Sequence, residues 1–117
     1  MLEARIYVGL SDRDSREQHY ETERYKTVLK DICKSYRTPF SVHVMEGGYF
    51  HDDGTWVDEN SLLITLIGAP RQTVYNIARE VCHVFNQESV LITATKVVPF
   101  YVHDGQESGG DGSRYAS

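Results

Sequence analysis

The chain has 117 residues, enough for one small domain with a single hydrophobic core. Hydrophobic residues make up 40% of it and charged residues 25%, which is globular usage and excludes a wholly disordered protein. The 12 Lys and Arg residues against 17 Asp and Glu residues give a net charge of −5, which argues against direct nucleic-acid binding through a basic surface. No apolar run has the length of a membrane span and no signal-peptide pattern opens the chain, so we expect a cytoplasmic protein.

The first third of the chain predicts a strand followed by a helix. Apolar residues alternate with other residues over positions 4–10, which predicts a strand with one buried face. After a polar break, Ser15 and Gln18 have the spacing of a capping box, so we expect the first helix to begin there. Apolar residues then recur at three- and four-residue intervals over positions 25–36, and Pro39 ends the helix.

A long β-hairpin is predicted in the middle of the chain, where an Asp-Asp-Gly turn at positions 52–54 separates two apolar strands. A three-residue turn with a left-handed Gly54 sets Val42 opposite Ile64 and places the apolar residues of both strands on one face. A two-residue turn would slip this register by one residue. A one-residue bulge at positions 47–48 would restore it.

The remaining segments predict a second helix, a last strand and a tail. Pro70 suits the first position of a helix, an apolar stripe follows, and Asn86 is a residue type that favours a left-handed C-cap. Positions 90–98 have the high β-propensity of a strand. We therefore expect an ordered domain over positions 1–102 and a disordered, acidic, Gly- and Ser-rich tail over positions 103–117.

The predicted order βαββαβ is that of a ferredoxin-like α+β fold. Two helices pack on one face of a four-stranded antiparallel sheet, with the first and third strands at its centre and the long hairpin protruding. The second face of the sheet is left open, and we expect it to support a homodimer or to contact a protein partner. Its predicted residues are Tyr7, His43, Met45, Leu63, Thr65 and Ile67.

The hairpin carries the most distinctive side chains. Tyr49, His51, Trp56 and Glu59 concentrate aromatic surface and hydrogen-bonding groups on a ribbon that projects beyond the helices, as in many binding sites. The alternative is cross-strand packing, with Phe50 facing Trp56, which only stabilises the ribbon. The candidate binding residues are Tyr49, His51, Trp56 and Glu59 on the hairpin, with Tyr7, His43 and Met45 on the open face.

No catalytic, metal or cofactor site is predicted. His51 and its neighbouring acids have no second histidine at ligand spacing. Cys82 and His83 are adjacent on a helix and diverge by about 100°, which disfavours a catalytic pair. The two glycines at positions 47–48 are not followed by a helix that would complete a phosphate loop.

Three segments together carry a family resemblance. They are Tyr7-Val-Gly-Leu10, Trp56 with Glu59-Asn-Ser61, and Phe85-Asn-Gln-Glu-Ser-Val-Leu91. With them the chain resembles, over about residues 5–100, a family of small uncharacterised bacterial proteins known as a domain of unknown function. The resemblance implies the fold and brings no activity.

Polar residues at positions 87–89 follow the second helix, close to the base of the hairpin with Glu59 and Ser61. They either cap the helix end or share a polar pocket with the hairpin. Both interpretations stay open.

We therefore expect a small cytoplasmic protein that acts by binding, most simply as a homodimer, with a protein or a small molecule as its ligand. A binding role is favoured over an enzymatic one, and no cofactor or membrane contact is predicted. Two alternatives remain. One is an acidic inhibitor of phage or mobile-element origin that blocks a host defence nuclease. The other is a cofactor-independent enzyme of the dimeric α+β-barrel type, which rests on fold analogy.

Overall fold

The computed structural model describes residues 1–105. Its elements are β1 (Leu2–Gly9), α1 (Thr22–Ser35), β2 (Ser41–Phe50), β3 (Trp56–Ile67), α2 (Arg71–Val84) and β4 (Leu91–Lys96). The strands form one antiparallel sheet in the order β2-β3-β1-β4. This confirms the ferredoxin-like βαββαβ prediction, with the first and third strands central. The predicted disordered tail falls, from residue 106 onward, outside the described residues.

The two helices cover one face of the sheet because alternate residues of the central strands are apolar. Ile6, Val8, Leu62 and Ile64 are fully buried against the apolar stripes of α1 and α2. The helix residues that meet them are Leu29, Ile32, Val74, Ile77 and Val81. This single layer of contacts is the hydrophobic core.

The hairpin of β2 and β3 has the register predicted for a three-residue turn. Val42 pairs with Ile64, and pairing continues without a bulge to Phe50 and Trp56. Gly54 has a φ of 88°, the left-handed conformation that the turn needs. Because β1 pairs with β3 only as far as Ser61, the rest of the hairpin projects past the end of β1.

The helix start predicted at Ser15 is wrong, because α1 begins at Thr22. Asp12 Oδ1 accepts the backbone N–H of Asp14 (2.8 Å) and of Ser15 (3.1 Å). The turn that these bonds close cannot continue as a helix, because Arg16 has a left-handed φ of 61°. The segment from residue 10 to residue 21, called here the β1–α1 loop, is therefore non-helical.

At the end of α2 the prediction is confirmed, and the other differences from prediction are small. Asn86 has the predicted left-handed conformation, with a φ of 49°. Pro70 precedes the first helical residue of α2 instead of occupying it. The last strand is shorter than predicted and ends at Lys96.

The face of the sheet away from the helices carries the predicted residues. Tyr7, Leu63 and His43 lie side by side on three neighbouring strands, and Met45 pairs with Ser61. Ile67 on the same face is 50% exposed. No helix within residues 1–105 is long and apolar enough to cross a membrane.

Candidate functional site

A cleft opens where the hairpin projects past β1 and faces the β1–α1 loop. Its first lobe, of about 690 Å³, lies between Arg16 and the acidic residues of the hairpin. Its second lobe, of about 420 Å³, extends to Tyr49 and His51. Arg16 and Glu59 line both lobes, so they mark the boundary between them. We call the two lobes together the hairpin cleft.

Glu59 is placed by two glycines. It pairs across the hairpin with Gly47. A Cβ atom on Gly9 would lie 3.0 Å from each of its carboxylate oxygens, so the carboxylate rests over the bare backbone at the end of β1. Because neither neighbour has a side chain, the half-buried carboxylate is left open toward the cleft.

The first lobe is strongly negative. Glu17, Glu46, Asp58 and Glu59 line it together with one cation, Arg16. None of the ion pairs found among residues 1–105 involves these five side chains. A concave surface with such an excess of one charge concentrates ligands of the opposite sign, so the lobe favours cations.

Side-chain hydrogen bonds connect the β1–α1 loop to the residues that follow α2. Asn86 Nδ2 donates to Asp12 Oδ2 (2.8 Å) and to Asp14 Oδ2 (2.9 Å). Gln87 Nε2 donates to the backbone oxygen of Ser11 (2.8 Å). The bond from Asn86, together with the backbone N–H groups of the loop, lowers the pKa of Asp12 to about 2, so its carboxylate is charged at neutral pH.

Arg16 has a strained backbone inside this loop. Its φ is 61°, a conformation that costs a non-glycine residue about 1–3 kcal/mol. Its N–H donates to the backbone oxygen of Asp12 (2.7 Å), and the N–H of Asp12 donates to the backbone oxygen of Glu17 (2.9 Å). These two bonds hold Arg16 in place at the boundary of the lobes.

The structure brings Tyr49, His51 and Glu59 together in the second lobe, as the hairpin prediction grouped them. The rings of Tyr49 and His51 meet edge to face, with centroids 5.3 Å apart. Trp56 lies on the opposite face of the hairpin, where its ring centroid is 5.0 Å from that of Phe50. It takes part in the cross-strand packing that was the alternative interpretation, and its indole N–H donates to Asp58 Oδ1 (2.7 Å) of the first lobe.

The three candidates on the open face do not belong to the lining of the cleft. Tyr7, His43 and Met45 line neither lobe. Residues 87–89 do line the second lobe together with Glu59, as the polar-pocket interpretation expected, whereas Ser61 does not.

Sequence reasoning missed the contribution of the β1–α1 loop. Arg16, Glu17 and Gln18 line the first lobe, but the sequence placed them on a helix. Glu46 and Asp58 were counted only as hairpin acids. The available signal was the polar break after the first strand, because the predicted sheet sets the end of that strand beside the acidic hairpin.

The cleft offers carboxylates, the guanidinium groups of Arg13 and Arg16, and aromatic edges, which suit a ligand with positive charge and a planar ring. Within residues 1–105 no three His, Cys, Asp or Glu side chains are grouped as a metal site. No protein-family model and no curated protein sequence matches the chain.

Solved structures resemble the chain. A phage SAM lyase in complex with S-methyl-5'-thioadenosine is 28% identical, with 81% of this chain and 80% of that chain covered and a TM-score of 0.61. The PII-like protein CutA from Nostoc sp. PCC 7120 is 10% identical, with 83% and 81% covered and a TM-score of 0.53. A DUF3240 family protein from Shewanella baltica is also 10% identical, with 88% and 97% covered and a TM-score of 0.51. The last two share the fold alone, so membership in a family of unknown function stays a prediction.

Proposed function

We propose that the chain is a SAM lyase, which binds S-adenosylmethionine in the hairpin cleft and releases S-methyl-5'-thioadenosine. The observation that carries this proposal is the 28% identity, over 81% of the chain, to a phage SAM lyase that holds this same thioether. Under this proposal the chain is an enzyme, whereas the sequence favoured a binding role.

The charges of the first lobe support this substrate. S-adenosylmethionine carries two positive groups, the sulfonium and the ammonium, and one carboxylate. Glu17, Glu46, Asp58 and Glu59 complement the positive groups, and Arg16 complements the carboxylate. Glu59 lies at the boundary of the lobes, where both positive groups of a bound substrate come within its reach.

The second lobe suits the adenosine end of the substrate. Tyr49 and His51 offer aromatic surface for the adenine ring, and Gln87 and Ser89 offer polar groups for its edge and for the ribose. Each lobe has a volume in the range of about 300–1,000 Å³ that is usual for small-molecule sites.

The reaction breaks the bond between sulfur and the four-carbon chain, and both electrons of that bond go to sulfur. The sulfonium becomes a neutral thioether. Because a lyase adds no water, the four-carbon fragment forms its own new bond, by ring closure of its carboxylate or by a double bond after loss of a proton. The acidic lobe holds the cationic substrate more tightly than the neutral thioether, which favours release of the product.

The test is turnover by the purified chain. Incubation with S-adenosylmethionine should yield S-methyl-5'-thioadenosine in equal amount to the substrate lost, as measured by liquid chromatography and mass spectrometry. The same measurement identifies the four-carbon product as a lactone or an alkene. Failure to consume the substrate, together with no heat of binding in calorimetry, would contradict the proposal. Binding without turnover would return the chain to a small-molecule binding role.

We also propose that the chain forms a homodimer through the open face of the sheet. Tyr7 and Leu63 lie on that face, and neither helix covers it. The edge of the same sheet exposes further apolar surface at Leu91, which is 61% exposed. Apolar surface of this kind commonly marks a protein contact.

Leu63→Glu should dissociate this dimer, because it places a charge in the middle of the contact. Light scattering should then give the mass of a monomer, while circular dichroism shows an unchanged fold. Lys30→Glu on the exposed surface of α1 is the control and should leave the mass unchanged. A wild-type protein that is monomeric at high micromolar concentration would contradict the dimer.

The tip of the hairpin supports a second candidate function, the capture of a protein partner. Phe50 is 69% exposed and Trp56 53% exposed, and Asp52 and Asp53 lie beside them at the turn. Such a surface fits the binding protein or acidic inhibitor predicted from the sequence. For either function we propose a cytoplasmic location, where the free thiols of Cys33 and Cys82 would stay reduced.

A further inference from the structure

Asn86 forms an unusual link between two distant parts of the chain. It follows the C-cap of α2, and its side-chain amide donates to the carboxylates of Asp12 (2.8 Å) and Asp14 (2.9 Å). Its backbone oxygen accepts the N–H of Arg13 (3.0 Å). Asn86 lines neither lobe of the hairpin cleft, so it does not touch a ligand there.

The link organises the loop through Asp12. One oxygen of this carboxylate is held by Asn86, and the other accepts two backbone N–H groups of the loop. The backbone oxygen of Asp12 then accepts the N–H of Arg16 (2.7 Å), whose left-handed conformation needs such support. A chain of hydrogen bonds therefore runs from Asn86 through Asp12 to Arg16.

From this chain of bonds we infer that Asn86 is a positioning residue for the substrate. By way of Asp12 it holds Arg16 at the boundary of the two lobes, where the guanidinium receives the carboxylate of S-adenosylmethionine. The inference rests on the proposed lyase function. Within that function, Asn86 sets the geometry with which Arg16 meets the amino-acid end of the substrate.

Asparagine meets two requirements at this position. It tolerates the left-handed backbone that ends α2, as few residues other than glycine do. Its amide also separates the carboxylates of Asp12 and Asp14, which would otherwise repel each other at close range. Glycine would keep the backbone and lose the amide, so Asn86→Gly isolates the role of the side chain.

The matched control is Arg37→Gly. Arg37 is the equivalent left-handed residue after α1, with a φ of 54°, and it lines neither lobe. We expect Asn86→Gly to raise the KM for S-adenosylmethionine about tenfold with little change in kcat, as when one charge-assisted contact made equally in ground and transition states is weakened. Arg37→Gly should keep the wild-type KM. Asn86→Gly should have the lower Tm of the two, because it also loses two hydrogen bonds to carboxylates, so both KM values are measured well below either Tm.

A second variant tests whether the neutral amide of Asn86 prevents repulsion between the carboxylates of the loop. Asn86→Asp brings a third carboxylate to Asp12 and Asp14, so the loop should be repelled at neutral pH and the KM should rise further. Lowering the pH toward about 5 should recover part of the loss, because one of three crowded carboxylates then takes a proton. The wild-type KM should show no such recovery.

Amide hydrogen exchange provides a readout without substrate. The N–H groups of residues 14–16 donate to oxygens of Asp12. Their hydrogens should exchange faster in Asn86→Gly than in the wild type, and at the wild-type rate in Arg37→Gly. An active Asn86→Gly protein with the wild-type KM, or with unchanged exchange at these groups, would overturn the inference alone. A wild-type protein that neither binds nor cleaves S-adenosylmethionine would overturn the proposed function and with it this inference.

Discussion

Glu59→Gln should lower kcat/KM for S-adenosylmethionine by about 100-fold, a loss typical of removing one partner from a largely desolvated charge pair. The change keeps the size of the side chain and removes its charge. It acts at the boundary of the two lobes, where the carboxylate lies over Gly9 and faces the cleft. The substrate would lose the anion that holds its positive groups next to Arg16.

Glu21→Gln is the control for this experiment. Glu21 is exposed at the start of α1, makes no side-chain capping bond and lines neither lobe. It should keep wild-type kcat/KM, and both variants should keep the wild-type Tm. A Glu59→Gln protein with kcat/KM within about threefold of wild type, which is under about 1 kcal/mol of transition-state stabilisation, would remove Glu59 from the site.

Gly48→Ala should lower the free energy of unfolding by about 2 kcal/mol, within the usual range for overpacking. The indole of Trp56 lies over the bare backbone of Gly48. An added Cβ would be 2.8 Å from Trp56 Cε2 and 2.5 Å from the backbone oxygen of Val57. The oxygen belongs to the paired strand and cannot move away without disturbing the hairpin, so the strain cannot relax through a side chain alone.

Gly47→Ala is the matched control, one residue away on the same strand. A Cβ on Gly47 would meet no atom within 4 Å. Its effect on stability should stay within about 0.5 kcal/mol, as for most surface changes. Urea denaturation of the two variants measures the difference. Equal stabilities would contradict the packing of Trp56 on Gly48.

The hairpin register could be predicted from the sequence because burial and turn chemistry agree. Only the three-residue turn with a left-handed Gly54 placed Val42, Ile64 and their apolar neighbours on one face without a bulge. The period of two along each strand also fixed that Trp56 and Glu59 lie on opposite faces. The separation of Trp56 from Tyr49, His51 and Glu59 in the second lobe was therefore present in the pattern.

The β1–α1 loop could not be predicted, because the contact that decides it is distant along the chain. Ser15 and Gln18 satisfied the local rule for a helix start. Asn86, at the far end of α2, binds Asp12 and Asp14 and helps to fix a turn in its place. The first lobe depends on that turn, so the sequence identified the hairpin half of the site and missed the loop half.

The proposed ligand site lies between the β1–α1 loop and the hairpin. The direct measurement is a titration of the isotope-labelled protein with S-methyl-5'-thioadenosine, followed by backbone amide chemical shifts. With this site we expect shifts at residues 11–16, 49–59 and 87–89, which include the lining of the second lobe, and unchanged amides for Tyr7 and His43 on the open face. Shifts that map to the open face, or no shifts at millimolar ligand, would contradict it.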